Sequence, residues 1–273
     1  MNCSIDHKKR PISSRLSLRL SEIKQKRQNV AINELSMKSS CADNCDLLIE
    51  CSQKPIGNAT SKVDEKFFFQ PCIVLAKALL GKILVRKLPT GEILRGRIVE
   101  TESYLGNDDK ASHSYQGKRT KRNEAMFLSP GTAYVYSIYG MYYCFNISSL
   151  EEGSAVLIRA LEPIEGLSSM RELRSVKRNN SALKDKDLCN GPSKLCQALS
   201  IEKALLNKTD LTQSDDLWIE RDLIAHEFKI ICCKRIGIDS CGDEWANKPL
   251  RFYIRDCKYV SIRNKTAENE QQC

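Results

Sequence analysis

Histidine is scarce in this chain. Of three in 273 residues, His7 lies in a polar N-terminal stretch, which leaves His113 and His226. That count excludes a histidine-rich metal centre, and no H-E-x-x-H motif occurs. The phosphate-cradling loop G-x-x-x-x-G-K-[ST] is missing, as is G-x-G-x-x-G after a strand. Without G-x-S-x-G, a Ser-His-Asp hydrolase has no nucleophile elbow. No run of about eighteen apolar residues is present, as a membrane-spanning helix requires. The basic residues near Met1 are followed by no apolar stretch of the secretory kind. Neither a metal, nor a cofactor, nor a membrane is therefore expected.

What is present is an ordinary globular composition, 41% hydrophobic and 28% charged, enough for a sizeable core in one large domain or two small ones. The 13 cysteines are odd in number and irregularly spaced, which reads as reduced thiols in a nuclear or cytosolic compartment. Cys41, Cys45 and Cys51 match no closed zinc pattern and are expected to be free. The net charge is +9, and residues 1–62 carry +5 of it, eleven Lys and Arg against six Asp and Glu. Such a basic segment is either a solvated tail or a device for nuclear localisation and phosphate attraction.

Residues 1–62 show no core pattern and read as a disordered basic arm with one short helix near Leu16–Lys26. Residues 63–265 read as one domain, and 266–273 as a disordered tail. A helix follows Gln70-Pro71 and stops at Gly81. Strands over Lys82–Leu88 and Glu92–Tyr104 are joined by the turn Pro89-Thr90-Gly91. A long polar loop covers 105–131, with one helical turn. A hairpin spans 132–148, and Ala155–Ala160 makes another strand. Pro163 is expected to open a helix carrying Ile164, Leu167, Met170 and Leu173, and Gly191-Pro192 a shorter one through Leu199. Strands at Phe228–Lys234 and Leu250–Arg255 follow, with Trp218 and Trp245 as core anchors. Strands in neighbouring runs predict an α+β fold with a mainly antiparallel sheet.

Within that frame Glu102 is conspicuous. Regular alternation would put Ile98, Glu100, Glu102 and Tyr104 on one face. A carboxylate among apolar neighbours is either ion-paired, with Arg97 or Arg159, or held for proton chemistry. In the hairpin, Tyr134 and Tyr136 share a face; Tyr134, Tyr142 and Tyr143 read as packing residues. Tyr139, beside Gly140 at the turn, is harder to bury, and an exposed aromatic there in a basic protein suits insertion between DNA base steps. The loop Lys118–Asn123 and the segment Asn190–Leu195 are either phosphate grips or ordinary solvated surface.

Taken together, these residues resemble the alkyladenine (3-methyladenine, N-methylpurine) DNA glycosylases from Phe68 to about Val260. The likeness rests on Gly96-Arg-Ile-Val-Glu-Thr-Glu-Ser-Tyr-Leu-Gly106, Pro130-Gly-Thr-Ala-Tyr-Val-Tyr136 and Ile138-Tyr-Gly-Met-Tyr-Tyr-Cys-Phe-Asn-Ile-Ser-Ser149. Val156-Leu-Ile-Arg-Ala-Leu-Glu-Pro163, Gly191–Leu199 and Lys248-Pro-Leu-Arg-Phe-Tyr253 complete it. The resemblance implies a single domain on a curved antiparallel sheet with flanking helices and a protruding, DNA-intercalating β-hairpin. It implies a monofunctional, metal-free enzyme that flips alkylated or deaminated purines from duplex DNA and hydrolyses the N-glycosidic bond.

By the same resemblance, Glu102 is the general base and Arg159 its partner, while the Ile236 carbonyl holds the water. Tyr104, His113, Tyr136 and Leu157 surround the flipped base, and Asn146 rejects guanine. Tyr139 fills the gap in the duplex with Met141 beside it; Thr120, Arg122 and Lys194 contact the DNA backbone. A monomer acting in the nucleus, or also the mitochondrion, and passing abasic sites to downstream repair enzymes, is implied. Glu151-Glu152, the stretch Lys177–Lys186 and residues 200–235 depart from the pattern. The alternatives are a catalytically silent module that binds damaged DNA, and a sugar or nucleoside hydrolase in which Glu100 is a second carboxylate.

Overall fold

The computed structural model describes residues 61–175, 183–224 and 227–271. The sequence readings of residues 1–60, with the helix near Leu16–Lys26 and Cys41, Cys45 and Cys51, lie outside them, and so does His226.

Eight strands form one sheet: β1 (Ile83–Lys87), β2 (Ile93–Tyr104), β3 (Ala133–Ile138), β4 (Tyr142–Ser148), β5 (Ala155–Glu165), β6 (Leu217–Glu220), β7 (Ile230–Cys233) and β8 (Arg251–Ile254). The order is β3-β4-β5-β2-β1-β6, with β8 joining β2 and β7 joining β8, and all pairings are antiparallel. The α+β architecture and antiparallel sheet expected from the sequence are therefore what the structure shows. Long β2 is the axis. Its first half alternates between partly and fully buried residues, and from Ile98 to Ser103 every residue is buried. Two sides cover it there, and that double burial creates the site.

One cover is helix α1 (Cys72–Leu79), which turns Cys72, Leu75, Ala76 and Leu79 inward at the i, i+3, i+4, i+7 spacing of an amphipathic helix. Complete burial of Leu75 and Leu79 contributes roughly 2 kcal/mol each. Pro71 precedes the helix, where its missing N–H costs no helical bond. The Glu151 carboxylate accepts from Cys72 N–H at 2.9 Å, so the acidic insertion after β4 caps the helix start. Thr101 and Ser103 donate to the α1 carbonyls of Ala76 and Cys72, at 2.9 and 3.2 Å, so these two β2 side chains face the helix.

Three expectations fail. The strand predicted to end at Ala160 continues to Glu165, and Pro163 lies within it, opposite Gly96, beside a register shift. Proline is tolerated where a ladder bond is already lost. Helix α2 (Leu167–Ser175) starts only after Gly166, whose φ is +79° and whose added Cβ would come within 2.2 Å of Leu94. Ile164 is left 43% exposed on the strand. Trp218 is only partly buried; Lys62 lies over its ring and its indole N–H donates to Glu220, whereas Trp245 is buried as expected. The stretch read as a disordered tail from 266 forms helix Lys265–Glu270, capped by Asn264 and tied down by Glu268, which accepts from Tyr253 and Arg263.

The face assignment of β2 is also revised. Register shifts at Ile98/Glu100 and Glu100/Thr101 mark a bulge. Ile98 packs with the α1 core while Val99 joins a second cluster with Tyr253 and Val260. Glu100, Glu102 and Tyr104 share the side away from α1, and Ile98 does not.

Candidate active site

Sheet register assembles the site. Glu102 on β2 stands opposite Leu157 on β5, which stands opposite Asn146 on β4, which stands opposite Tyr134 on β3. On the other side Glu102 faces Arg251 on β8. Residues directly opposite in antiparallel strands point to one face, so five strands lay a single row of side chains. Positions two further along add Tyr136, Arg159 and Tyr104. Over this row lies a cavity of about 290 Å³, near the small end of ligand sites.

Tyr104, His113, Tyr136, Asn146, Leu157 and Arg159 line the cavity, as does Ile236. The resemblance named the first five as the base pocket, Arg159 as the partner of Glu102 and Ile236 for its carbonyl. Glu102 is completely buried one layer behind them. Its Oε2 accepts from the Tyr104 hydroxyl at 3.0 Å and pairs with Arg159 Nη1 at 3.1 Å, and its Oε1 accepts from the Ile236 N–H at 2.8 Å. Ile236 thus engages Glu102 through its amide. Burial pushes the Glu102 carboxyl up; Arg159, the Ile236 amide and Tyr104 pull it back only partly, and it stays above the usual carboxylate value. Burial disfavours the Arg159 cation, but Glu102 and Glu100 outweigh it and hold it charged. Burial, then the Glu102 charge, keep Tyr104 protonated and hence a donor.

Arg159 is shared. Its Nε lies 3.2 Å from Glu100 Oε1. Glu100 is the structural ion-pair partner here, held also by Arg251 at 2.8 Å; Arg97 instead pairs with Glu162 and Asp222. Both Glu100 oxygens are taken up by Arg159, Arg251 and Ser261, which leaves neither turned toward a sugar as the two-carboxylate reading requires.

The aromatic wall has an order the sequence hid. Tyr134, read as packing, lines the cavity, and its hydroxyl lies 2.8 Å from His113 Nδ1. The His113 ring meets Tyr136 edge to face at 4.7 Å. Burial, with the nearby Arg122 cation, pushes His113 down to about 4, so it is a neutral ring at pH 7. Arg122, exposed, lies over the Tyr136 ring at 5.4 Å. Asn146 donates to the Tyr134 carbonyl at 3.0 Å, which fixes its amide in the floor. Cys144 also lines the wall, and burial lifts its thiol to about 11.

Three further residues have roles that the sequence did not suggest. Asn123 is buried and holds the 105–131 loop together, accepting from Thr120 and donating to the carbonyls of His113 and Lys118, both at 2.8 Å. Asp109 and Arg235 form a completely buried ion pair with contacts of 2.5 and 2.8 Å. Arg235 also donates to the Ser103 carbonyl at 2.9 Å and stacks on Tyr104 at 4.7 Å. The pair ties the His113 loop to the Ile236 peptide.

Beyond the cavity, Ile138 leads to Tyr139 and Gly140, both in left-handed conformations with φ of +52° and +72°. Tyr139 is 89% exposed and Met141 54%. Lys194, two residues after the cavity-lining Pro192, donates to Asn190 at 2.7 Å.

The site is thus a buried carboxylate ringed by hydrogen-bond donors, beside an aromatic cavity on an antiparallel sheet. The sequence matches the family model described as methylpurine-DNA glycosylase over residues 66–258. It is 52% identical over 222 residues to the DNA-3-methyladenine glycosylase of Homo sapiens, covering 80% of this chain and 74% of that one. To the protein of the same name from Rattus norvegicus it is 44% identical over 256 residues, 92% of this chain and 80% of that one. The chain belongs to the methylpurine-DNA glycosylase family, hydrolases of N-glycosyl bonds.

Proposed function

We propose that this protein removes alkylated and deaminated purines from duplex DNA, of the 3-methyladenine, 7-methylguanine and hypoxanthine type, through a water activated by Glu102. The observation that carries the reading is the Glu102 carboxylate itself, fully buried, with raised basicity, and fixed by Tyr104, Arg159 and Ile236, which themselves line the cavity. A general base works best when its pKa approaches the working pH, and burial moves Glu102 that way. A carboxylate also stabilises the oxocarbenium-like transition state of glycosidic cleavage.

A base inside a duplex is out of reach and must be rotated out, with a side chain occupying the gap. Tyr139 suits that task because its turn holds it in solvent. Between Tyr104, His113 and Tyr136 a flipped purine would stack and meet an uncharged ring. Asn146, fixed in the floor, would crowd a 2-amino group, and the Ile236 carbonyl would hold the water. Thr120, Arg122 and Lys194 would steady the backbone phosphates. Among the described residues no lysine lines the cavity, which favours simple hydrolysis over a Schiff base. The reading extends to a monomer acting in the nucleus.

The test is single-turnover release of hypoxanthine and of 3-methyladenine from labelled duplex by wild type and Glu102→Gln. Loss of a general base costs about 10²–10⁴-fold; the variant is expected to fall by that much and still bind the duplex. Excision by the variant at the wild-type rate would refute the role of Glu102. Binding without excision by wild type would favour a silent recognition module.

A further inference from the structure

Glu100 and Glu102 are both buried behind the cavity lining, and the β2 bulge turns Glu100 onto the same side as Glu102. Bulges beside active sites commonly re-aim a side chain. Four donors converge on Glu100: Arg159 Nε at 3.2 Å, Arg251 Nη1 at 2.8 Å and Ser261 Oγ at 2.9 Å reach Oε1, and the Ser261 N–H reaches Oε2 at 2.7 Å. Arg251 is itself fixed by the carbonyls of Lys234 and Ile262, at 3.0 and 2.8 Å. Among the described residues, Arg159 is the one cation that touches both carboxylates. It cannot move toward Glu102 without leaving Glu100.

We propose that Glu100 is a positioning residue that divides the Arg159 guanidinium between two carboxylates and so sets how strongly Glu102 holds a proton. The inference rests on Glu102 being the base. Were Arg159 given wholly to Glu102, that carboxylate would be a weaker base; were Glu100 to draw Arg159 away, Glu102 would be neutral over more of the working range. The groups facing Glu102 are known on each element around it. They are Glu100 and Tyr104 on β2, Arg159 on β5, Cys144 on β4, Arg251 and Cys233 on β8 and β7, and the Ile236 amide with Arg235. Of these, Glu100 alone is an acid that shares a cation with Glu102.

The experiment is the pH dependence of single-turnover excision of hypoxanthine by the full chain, with two variants of opposite sign. Glu100→Gln removes the competing charge, and the acid limb should move to lower pH. On that limb the fraction of plateau rate retained should rise roughly threefold to tenfold, while the plateau falls. Ser261→Ala removes one donor from Glu100, which then draws Arg159 harder, so its limb should move to higher pH. Ser261→Ala deletes only a hydroxyl, so it keeps the test alive if Glu100→Gln does not fold. A merely structural role would lower rates without shifting the limbs apart. If both limbs stay in place while Glu102→Gln is inactive, the inference is overturned and the general base stands. If Glu102→Gln excises normally, both are overturned.

Discussion

Replacing Asp109 by Asn tests how the site is built. Each Asp109 oxygen accepts two donors: Oδ2 from Leu105 N–H at 3.0 Å and from Arg235, Oδ1 from Ala111 N–H at 3.0 Å and from Arg235. An Asn amide nitrogen would point two hydrogens at two donors, whichever way it turned. Arg235, its side chain fully buried, would lose its counter-charge and one of its two bonds to residue 109, keeping the one amide oxygen, the Ser103 carbonyl and the Tyr104 face. Breaking one side of a buried pair costs about 3–5 kcal/mol. For a domain of this size, roughly 2–4 °C per kcal/mol translates that into a Tm fall of roughly 6–20 °C. Thermal and urea unfolding followed by circular dichroism would measure it. The same variant should lose excision beyond its folded fraction, because the His113 loop and the Ile236 peptide lose their common anchor. A loss under about 1 kcal/mol, the level of an exposed pair, would refute the reasoning.

Two other outcomes follow from the geometry. Tyr139→Gly should leave stability unchanged or raise it by up to about 1 kcal/mol, since a tyrosine at φ +52° is strained and exposed there, yet it should impair excision; a Tm fall of several degrees would show that the ring packs on the fold. His113 should show no NMR inflection near pH 6.5, since its folded value lies near 4. Because the folded value is depressed, stability present above about pH 6.5 is lost as pH falls toward 4, and Arg122→Ala should lift the inflection by removing the second cause; an unshifted histidine would refute the neutral-ring account.

Much of the site could be read from one dimension because its chemistry is local in sequence. Glu102 and Tyr104 sit two apart on one strand, and the turn at Tyr139 announces itself by the glycine after it. What could not be read depends on pairing across the sheet. The bulge that separates Ile98 from Glu100 leaves no mark in the alternation, and Asp109 looks like any loop acid until Arg235 arrives. Tyr134 was read as packing because a strand tyrosine usually is; only its register opposite Asn146 places it in the cavity wall. Pro163 misled because a proline after an apolar run resembles a helix start as much as a strand irregularity.

The row of side chains under the cavity has a consequence for how activity emerges during synthesis. Glu102 waits for an amide 134 positions along the chain, and Glu100 for a serine 161 positions along. Such distant pairings form late and slowly, and carboxylates buried before their donors arrive are costly. A nascent chain halted before Ile236 lacks one of the three donors that fix Glu102. On the proposed role of Glu102, competence to break a glycosidic bond would therefore be withheld until nearly the whole domain has emerged and closed upon itself.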